Sequence, residues 1–260
     1  MSAFDAARFA ALRRERGLSL GEPLVAVAET GSTNDDAMDA AKRGAPHGAL
    51  FVADAQTRGR GRRGARWTSP SGENLLFSLL VRPDLAPERA GTLTLAVGLA
   101  VRAVAAARVS GAVRVKWPND VLVGDAKLAG ILLESQIEVG KVSALVIGVG
   151  LNVGMRALPA ELRGIATSLA LEGDPDARRE DVLVELLAAL ERRLELHAQA
   201  GLAPVLAELR DADGLLGRKV KVDAVEGTAA GIADDGALVV RTSGGELRRV
   251  TAGSVELVQG

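Results

Sequence analysis

The sequence predicts an α/β chain, α+β in its details, in which strands and helices alternate ahead of a small all-β barrel. Three observations carry this. From Leu24 to about Arg210 the apolar residues recur alternately at strand and helix spacing. After Asp211-Ala-Asp-Gly214 the period drops to two and glycine-containing turns punctuate it. There is no internal repeat and no low-complexity tail, so the boundary falls near residue 212 and divides the chain into 1–211 and 212–260. A length of 260 residues suits one large unit and one small one.

Each element has a local reason. The first 20 residues hold a short amphipathic helix, Ser2 to Arg16, closed by Gly17. Leu24 to Glu29 is a strand, and Ser32 or Thr33 caps a helix that runs to Arg43 and stops at Gly44. Ala49 to Ala55 and Asn74 to Val81 are strands separated by a long polar loop, and Ala90 to Ala107 has helical spacing that tolerates Gly98 at some cost. Val113 to Lys116 and Val121 to Val123 are extended, and Leu128 to Val139 with Val142 to Val153 form a hairpin turning at Gly140-Lys141. In Asp181 to Ala198, Val182, Leu183, Leu186, Leu187, Leu190 and Leu194 make one buried stripe, and Ala203 to Arg210 is a shorter helix. Lys219 to Val225, Gly227 to Ala233, Ala237 to Thr242 and Glu246 to Val250 are the barrel strands, joined by Asp235-Gly236 and Gly244-Gly245 turns.

Composition limits the chemistry. A net charge of −1 argues against a nucleic-acid binder with a wholly basic surface. With no cysteine there is no disulfide framework, thiolate nucleophile or thiolate metal site. His47 and His197 lie far apart in the chain, which disfavours a histidine metal cluster or a Ser-His-Asp triad and leaves both to surface or structural duty. No stretch approaches the run of about 20 apolar residues that crosses a membrane, and charged residues interrupt the N-terminus, so a cytoplasmic address is expected. The basic residues are mostly arginine. Among the few lysines, Lys116 and Lys127 bracket the most unusual motif, where an ammonium instead of a guanidinium fork is retained.

Five segments are candidates for chemistry. Gly59-Arg-Gly-Arg-Arg-Gly64 formally matches a dinucleotide fingerprint, but no amphipathic helix begins at Gly64, and its arginines suit a lid over an anion or a solvated basic loop. Lys116-Trp-Pro-Asn-Asp120 fixes an indole, an amide and a carboxylate at a turn, as a site or as a buried anchor. Lys127 opens an apolar strand in which Gly130 permits close approach, and Gly148 and Gly150 do the same in the next. Asn152 has the donor and acceptor that read an adenine edge, or else sits in a bulged core strand. Ser32-Thr33-Asn34 is first a helix start, yet with Gln56 it could satisfy a neutral polar headgroup.

Taken in order, Ser32-Thr33-Asn34, Gln56, the Gly59-to-Gly64 loop with Trp67, Lys116-to-Asp120, Lys127-Leu-Ala-Gly130 and Gly148-Val-Gly-Leu-Asn152 resemble the biotin protein ligase family. The likeness runs from about residue 24 to the C-terminus. It implies a class II synthetase-like mixed sheet with flanking helices, followed by an SH3-like barrel. Some members carry an N-terminal helix-turn-helix repressor; with the first strand at Leu24, a monofunctional ligase without DNA binding is expected. The resemblance assigns biotin to Ser32, Thr33, Asn34, Gln56, Arg60, Gly61, Arg62, Lys127 and Gly130, and ATP or the adenylate to Arg62, Arg63, Arg66, Trp67, Asn119, Lys127 and Asn152. Gly130, Gly148 and Gly150 would let ligand lie against backbone. Lys127, Asp120, Arg62 and Lys116 would be the catalytic set, with Mg²⁺ arriving on the ATP phosphates and no protein-built metal site. The implied partners are a biotin carboxyl carrier protein, no membrane, and a second copy, since members often pair through the catalytic sheet. The rivals are a lipoate or octanoate ligase of the same fold and a non-catalytic nucleic-acid binder using the arginine loop.

Overall fold

A computed structural model describes residues 3–258. Asp5 caps the first helix, α1 (Ala6–Glu15), by accepting from the Arg8 backbone N–H at 2.8 Å. The helix therefore starts later than Ser2, which lies outside the described residues. A seven-stranded sheet follows in the order β1 (Leu24–Thr30), β2 (Leu50–Gln56), β3 (Leu75–Val81), β7 (Lys141–Leu151), β6 (Ala126–Glu138), β5 (Asp120–Val123), β4 (Val113–Lys116). Only β1–β2 among these pairs is parallel, so the sheet is mixed.

The β6–β7 hairpin turns at Val139 and Gly140, both at positive φ (49° and 74°), and Lys141 already pairs with Glu138. The predicted Gly140-Lys141 turn is one residue late, because a two-residue loop of this hand needs left-handed backbone at both positions.

Helices cover both faces. On one, α2 (Thr33–Lys42) lays Ala37, Ala40 and Ala41 on Phe51, Leu80, Ala144 and Val146. On the other, α3 (Pro87–Ala106) and α5 (Arg179–Ala200) build the main core with Phe77, Ile131 and Ile147. By length and composition α3, at a mean hydropathy of 1.3, is able to cross a membrane, which corrects the expectation that no stretch approaches such a run. Its apolar character follows from being packed on several sides, against the sheet and against α5. Beneath the start of the lid loop, the buried Asp54 and Arg179 pair at 2.6 Å and the Phe4 N–H reaches the same carboxylate oxygen.

α6 (Leu206–Asp211) leads into a five-stranded antiparallel sheet ordered β11 (Leu247–Val250), β10 (Leu238–Arg241), β9 (Val225–Ile232), β8 (Lys219–Val222), β12 (Val255–Leu257). Four strands were expected; the fifth, β12, and the short helix α4 (Leu169–Glu172) are additions. The Trp117 indole, only 2% exposed, donates to the Gly236 carbonyl at 3.0 Å. It is the buried anchor between the two sheets.

Both histidines serve the fold. His47 Nδ1 accepts the Arg82 backbone N–H at 3.1 Å. His197 Nε2 lies 2.8 Å from Thr92 Oγ1, whose own proton goes to the Arg89 carbonyl, so Nε2 is the donor. Burial first, and the Arg89 charge second, pull His197 down to about 4. A histidine depressed in the folded state supports stability above its unfolded value of about 6.5 and loses that support as pH falls toward the folded value. We expect the melting temperature to drop by roughly 5 °C between pH 7 and pH 4.5 from this source. His197→Gln, which keeps a donor for Thr92, should flatten that part of a calorimetric pH series; an unchanged profile would refute the assignment.

Candidate active site

Residues directly opposite one another in antiparallel strands share a face. Asp120 opposes Gly130, Gly130 opposes Gly150, and Gly150 opposes Leu76, giving one row across β5, β6, β7 and β3. The next row is Leu132, Gly148 and Ser78. α2 begins over the glycines, with Asn34 against Gly148, and covers this face onward over Val146 and Ala144, while the lid loop covers the glycines from Trp67. The cleft between them holds about 840 Å³, open solvent at its mouth included. Ser32, Thr33, Asn34, Gln56, Arg60, Gly61, Arg62, Arg66, Trp67, Asn119, Asp120, Lys127 and Gly130 all line it.

The polar end is a chain of hydrogen bonds. Gln56 Oε1 accepts from the Thr33 N–H at 2.8 Å and from Thr33 Oγ1 at 3.1 Å. Ser78 Oγ sits 2.6 Å from Asn34 Oδ1 and 2.8 Å from Thr33 Oγ1, and the Asn34 amide donates to Glu134 Oε2 at 2.7 Å. Ser32 occupies the cap position of α2, but its hydroxyl makes no capping bond. Among the described residues, that hydroxyl and the Gln56 amide nitrogen have no protein partner, which leaves them to read a neutral polar group. Ser78 and Glu134 escaped the sequence reading; the signal was a lone serine in the apolar run of β3.

The lid is an ordered hairpin. Arg60 bridges to Arg66, the Gly61 N–H reaches the Ala65 carbonyl at 2.6 Å, and the Trp67 N–H reaches Gly59 O at 2.9 Å. At its tip Arg62–Gly64 makes one 3₁₀ turn, so no Rossmann helix begins there. Arg60 is tied to Asp35 at 2.5 Å and to Glu134 at 3.0 Å. Trp67 lies on the glycine rows. A Cβ on Gly150 would stand 2.5 Å from the indole, one on Gly130 would stand 2.9 Å from it, and one on Gly148 would overlap Asn34 Oδ1. Gly130, Gly148 and Gly150 all line the cleft, and they also make room for the protein's own Trp67 and Asn34. Trp67 Nε1 is buried without a hydrogen-bond partner, an orphaned donor at the cleft wall.

Lys127 is held by backbone. Its N–H donates to Ile165 O at 2.8 Å and its carbonyl accepts the Thr167 N–H at 2.9 Å. A bulge in the β5–β6 register re-aims its side chain. The ammonium lies 2.7 Å from Asp120 Oδ1 and 5.4 Å from the Trp67 ring centroid. The Asp120 contact is ionic rather than a well-angled hydrogen bond, since Oδ1 accepts none. Burial, then the Arg63 charge, pushes Arg62 below the usual guanidinium range. Asn119 lends its amide to the Ile131 carbonyl at 3.0 Å, fixing the turn before Asp120.

Three predicted residues lie off the cleft wall. Arg63 turns outward to Asp223. Lys116 faces a neighbouring groove with Asp125, Ile165 and Arg218, and burial holds its ammonium below the usual lysine range. Asn152 is buried with its amide spent on the Thr167 carbonyl at 2.8 Å, so it serves the strand end. Ser254, from the C-terminal sheet, lines the cleft without any local sequence signal.

Residues 28–152 match the profile of the Biotin/lipoate A/B protein ligase family, and residues 215–258 match the Biotin protein ligase C terminal domain. The chain is 33% identical to the Bifunctional ligase/repressor BirA of Bacillus spizizenii, across 92% of this chain and 75% of that protein. It is 37% identical to the Biotin--[acetyl-CoA-carboxylase] ligase of Mycobacterium tuberculosis, across 88% of this chain and 86% of that one. The solved structure of a biotin protein ligase from Aquifex aeolicus in complex with biotin and ATP is similar at a TM-score of 0.78 and 27% identity, over 92% of this chain and 100% of the other. Identity of 33% and 37% over most of both chains, on a sheet that presents these residues in one cleft, means that the chain belongs to the biotin protein ligase family.

Proposed function

We propose that the chain activates biotin with ATP to biotinyl-5′-AMP, releasing pyrophosphate, and transfers the biotin to a lysine of a biotin carboxyl carrier protein. The observation that carries this is the cleft itself. It has a neutral hydrogen-bonding end at Ser32 and Gln56, an apolar middle, and a cationic end at Lys127, Arg62 and Arg66. Biotin offers a ureido ring at one end and a carboxylate at the other, and the cleft is polarised in the same sense.

In the first step a carboxylate oxygen forms a bond to the α-phosphorus and the bond to pyrophosphate breaks. Two anions meet and charge spreads over the phosphate oxygens. Neutralising it is the catalytic demand, met by the Lys127 ammonium with Arg62 and Arg66. The lid and Trp67 exclude water from the mixed anhydride. In the second step the acceptor amine, whose unperturbed value is about 10.4, must attack uncharged. The amine nitrogen bonds to the biotinyl carbonyl carbon, the carbon–oxygen bond to AMP breaks and AMP leaves, while Asp120 orients the amine or takes its proton. The groove on the Lys116 and Arg218 side reaches the same Lys127–Asp120 pair and supports arrival of the amine from there.

Among the described residues no group of three or more His, Cys, Asp or Glu could hold a metal ion. Mg²⁺ is usually held by one or two carboxylates with substrate phosphates, and Asp120 is the carboxylate among the described residues that line the cleft. The ion would fit as a companion of the ATP phosphates. The division into a catalytic unit, 1–211, and a C-terminal unit, 212–260, is part of the same proposal and is supported by the two separate sheets.

Exchange of labelled pyrophosphate into ATP tests the reading. We expect exchange to depend on biotin, with lipoate and octanoate giving less than about one-hundredth of the rate, because buried polar groups built for a ureido ring would be left unpaired. Exchange with lipoate at a comparable rate would overturn it.

A further inference from the structure

The lid is fastened to the C-terminal sheet. At its tip Arg63 presents its two terminal guanidinium nitrogens, Nη1 and Nη2, to Asp223, at 2.5 and 2.9 Å, in the bidentate geometry that fixes a fork in direction as well as distance. Its neighbour Arg62 donates to the Gly253 carbonyl at 3.3 Å while lining the cleft. Asp223 stands at the tip of the β8–β9 hairpin, and Gly253 packs on it so closely that a Cβ there would stand 3.2 Å from its carboxylate. Ser254 follows and lines the cleft itself. Both partners of the fork, Arg63 (φ 54°) and Asp223 (φ 52°), stand first in a two-residue hairpin turn, where left-handed backbone is called for, so the fork joins two hairpin tips. The Ala65 N–H closes the tip on the Arg62 carbonyl at 3.1 Å, and the fork holds that turn against the second sheet.

We propose that Asp223 is a positioning residue for adenylate formation, clasping the lid shut over the cleft through Arg63 so that Arg62 is aimed at the nucleotide phosphates. The inference rests on the function proposed above. It makes closure a joint property of the two sheets: the C-terminal sheet is the seat of the lid, and the Asp223 carboxylate acts through arginine without touching substrate. A flexible arginine loop on its own would spend most of its time open, exposing the mixed anhydride to water. The clasp biases the closed state by the strength of one exposed fork, enough to shift a balance and weak enough to let the acceptor in.

The test compares Asp223→Ala, Arg63→Ala, the double variant and the charge swap Arg63→Asp with Asp223→Arg, in the full chain. Each single alanine variant should raise KM for ATP and the rate of adenylate loss to water about fivefold, near the ceiling for an exposed pair. The effect should shrink in high salt. The double variant should be no worse than either single one, and the swap should recover most of the loss. Trypsin should cut after Arg60, Arg62 and Arg66 faster in the single variants and at the original rate in the swap, which itself trades the site at position 63 for one at position 223. Additive losses, or a swap no better than the single variants, would overturn the clasp. If the unaltered chain shows no biotin-dependent exchange, the functional reading fails, and the proteolysis series still decides whether the clasp exists.

Discussion

Lys127→Ala is expected to lower biotin-dependent exchange of pyrophosphate into ATP by about a thousandfold, the upper range for removing one preorganised group that neutralises charge developing in a transition state. The fold should survive, since what anchors position 127 is its backbone, bonded to Ile165 and Thr167 on both sides. The loss is more than one missing cation. Asp120 would be left unpaired on the face where a carboxylate and a triphosphate must meet, adding repulsion to the lost attraction. Lys127→Arg should not restore the rate, because the ammonium sits between Asp120 and the Trp67 ring and a planar fork cannot occupy that place. Asp120→Asn separates the two half-reactions: exchange should fall less than transfer to a carrier lysine, measured with preformed adenylate. Unchanged exchange in Lys127→Ala would remove Lys127 from the mechanism.

How much of this was legible in the sequence depended on range. The alternation of elements, the helix stripe of α5 and the capping region at Ser32 are local patterns, and the structure has them within a few residues. The strand β12 was not legible because its three residues are defined by pairing with β8, far away in the chain. The cleft residues could be named because their motifs are compact, but their duties could not be sorted. Trp117 and Trp67 stand in equally unusual motifs, and only packing shows that the first anchors the second sheet while the second covers the cleft. Asn152 and Arg63 carried the right chemistry and were spent elsewhere, on a buried carbonyl and on a carboxylate contributed by the other sheet. Composition tells what a side chain can do; its partners, set by tertiary structure, decide what remains for a ligand.

Gly148→Ala should be the second large effect, lowering biotin affinity about a hundredfold in a calorimetric titration while costing about 1–3 kcal/mol of stability. A methyl at this position would overlap Asn34 Oδ1, so the buried side chain must give way. Asn34 would have to rotate, breaking its bonds to Ser78 and Glu134. Through Glu134 the disturbance reaches Arg60 at the base of the lid, so the polar end and its cover fail together. The bond to Ser78 is buried and the bond to Glu134 part-buried, and their loss, at about 1–1.5 kcal/mol each, falls on stability; the hundredfold, about 2.8 kcal/mol, is the cost of re-forming the displaced pocket on binding. Adding Asn34→Ala removes the overlap, so the double variant should melt at a higher temperature than the sum of the single losses predicts, a coupling expected only between groups in contact. Its affinity for biotin should stay low, because the amide that organises Ser78, Glu134 and Arg60 is gone in either case. Wild-type affinity in Gly148→Ala would mean that Asn34 does not organise the biotin end of the cleft, and the hydrogen-bonded chain from Gln56 to Arg60 would then be only a fold element.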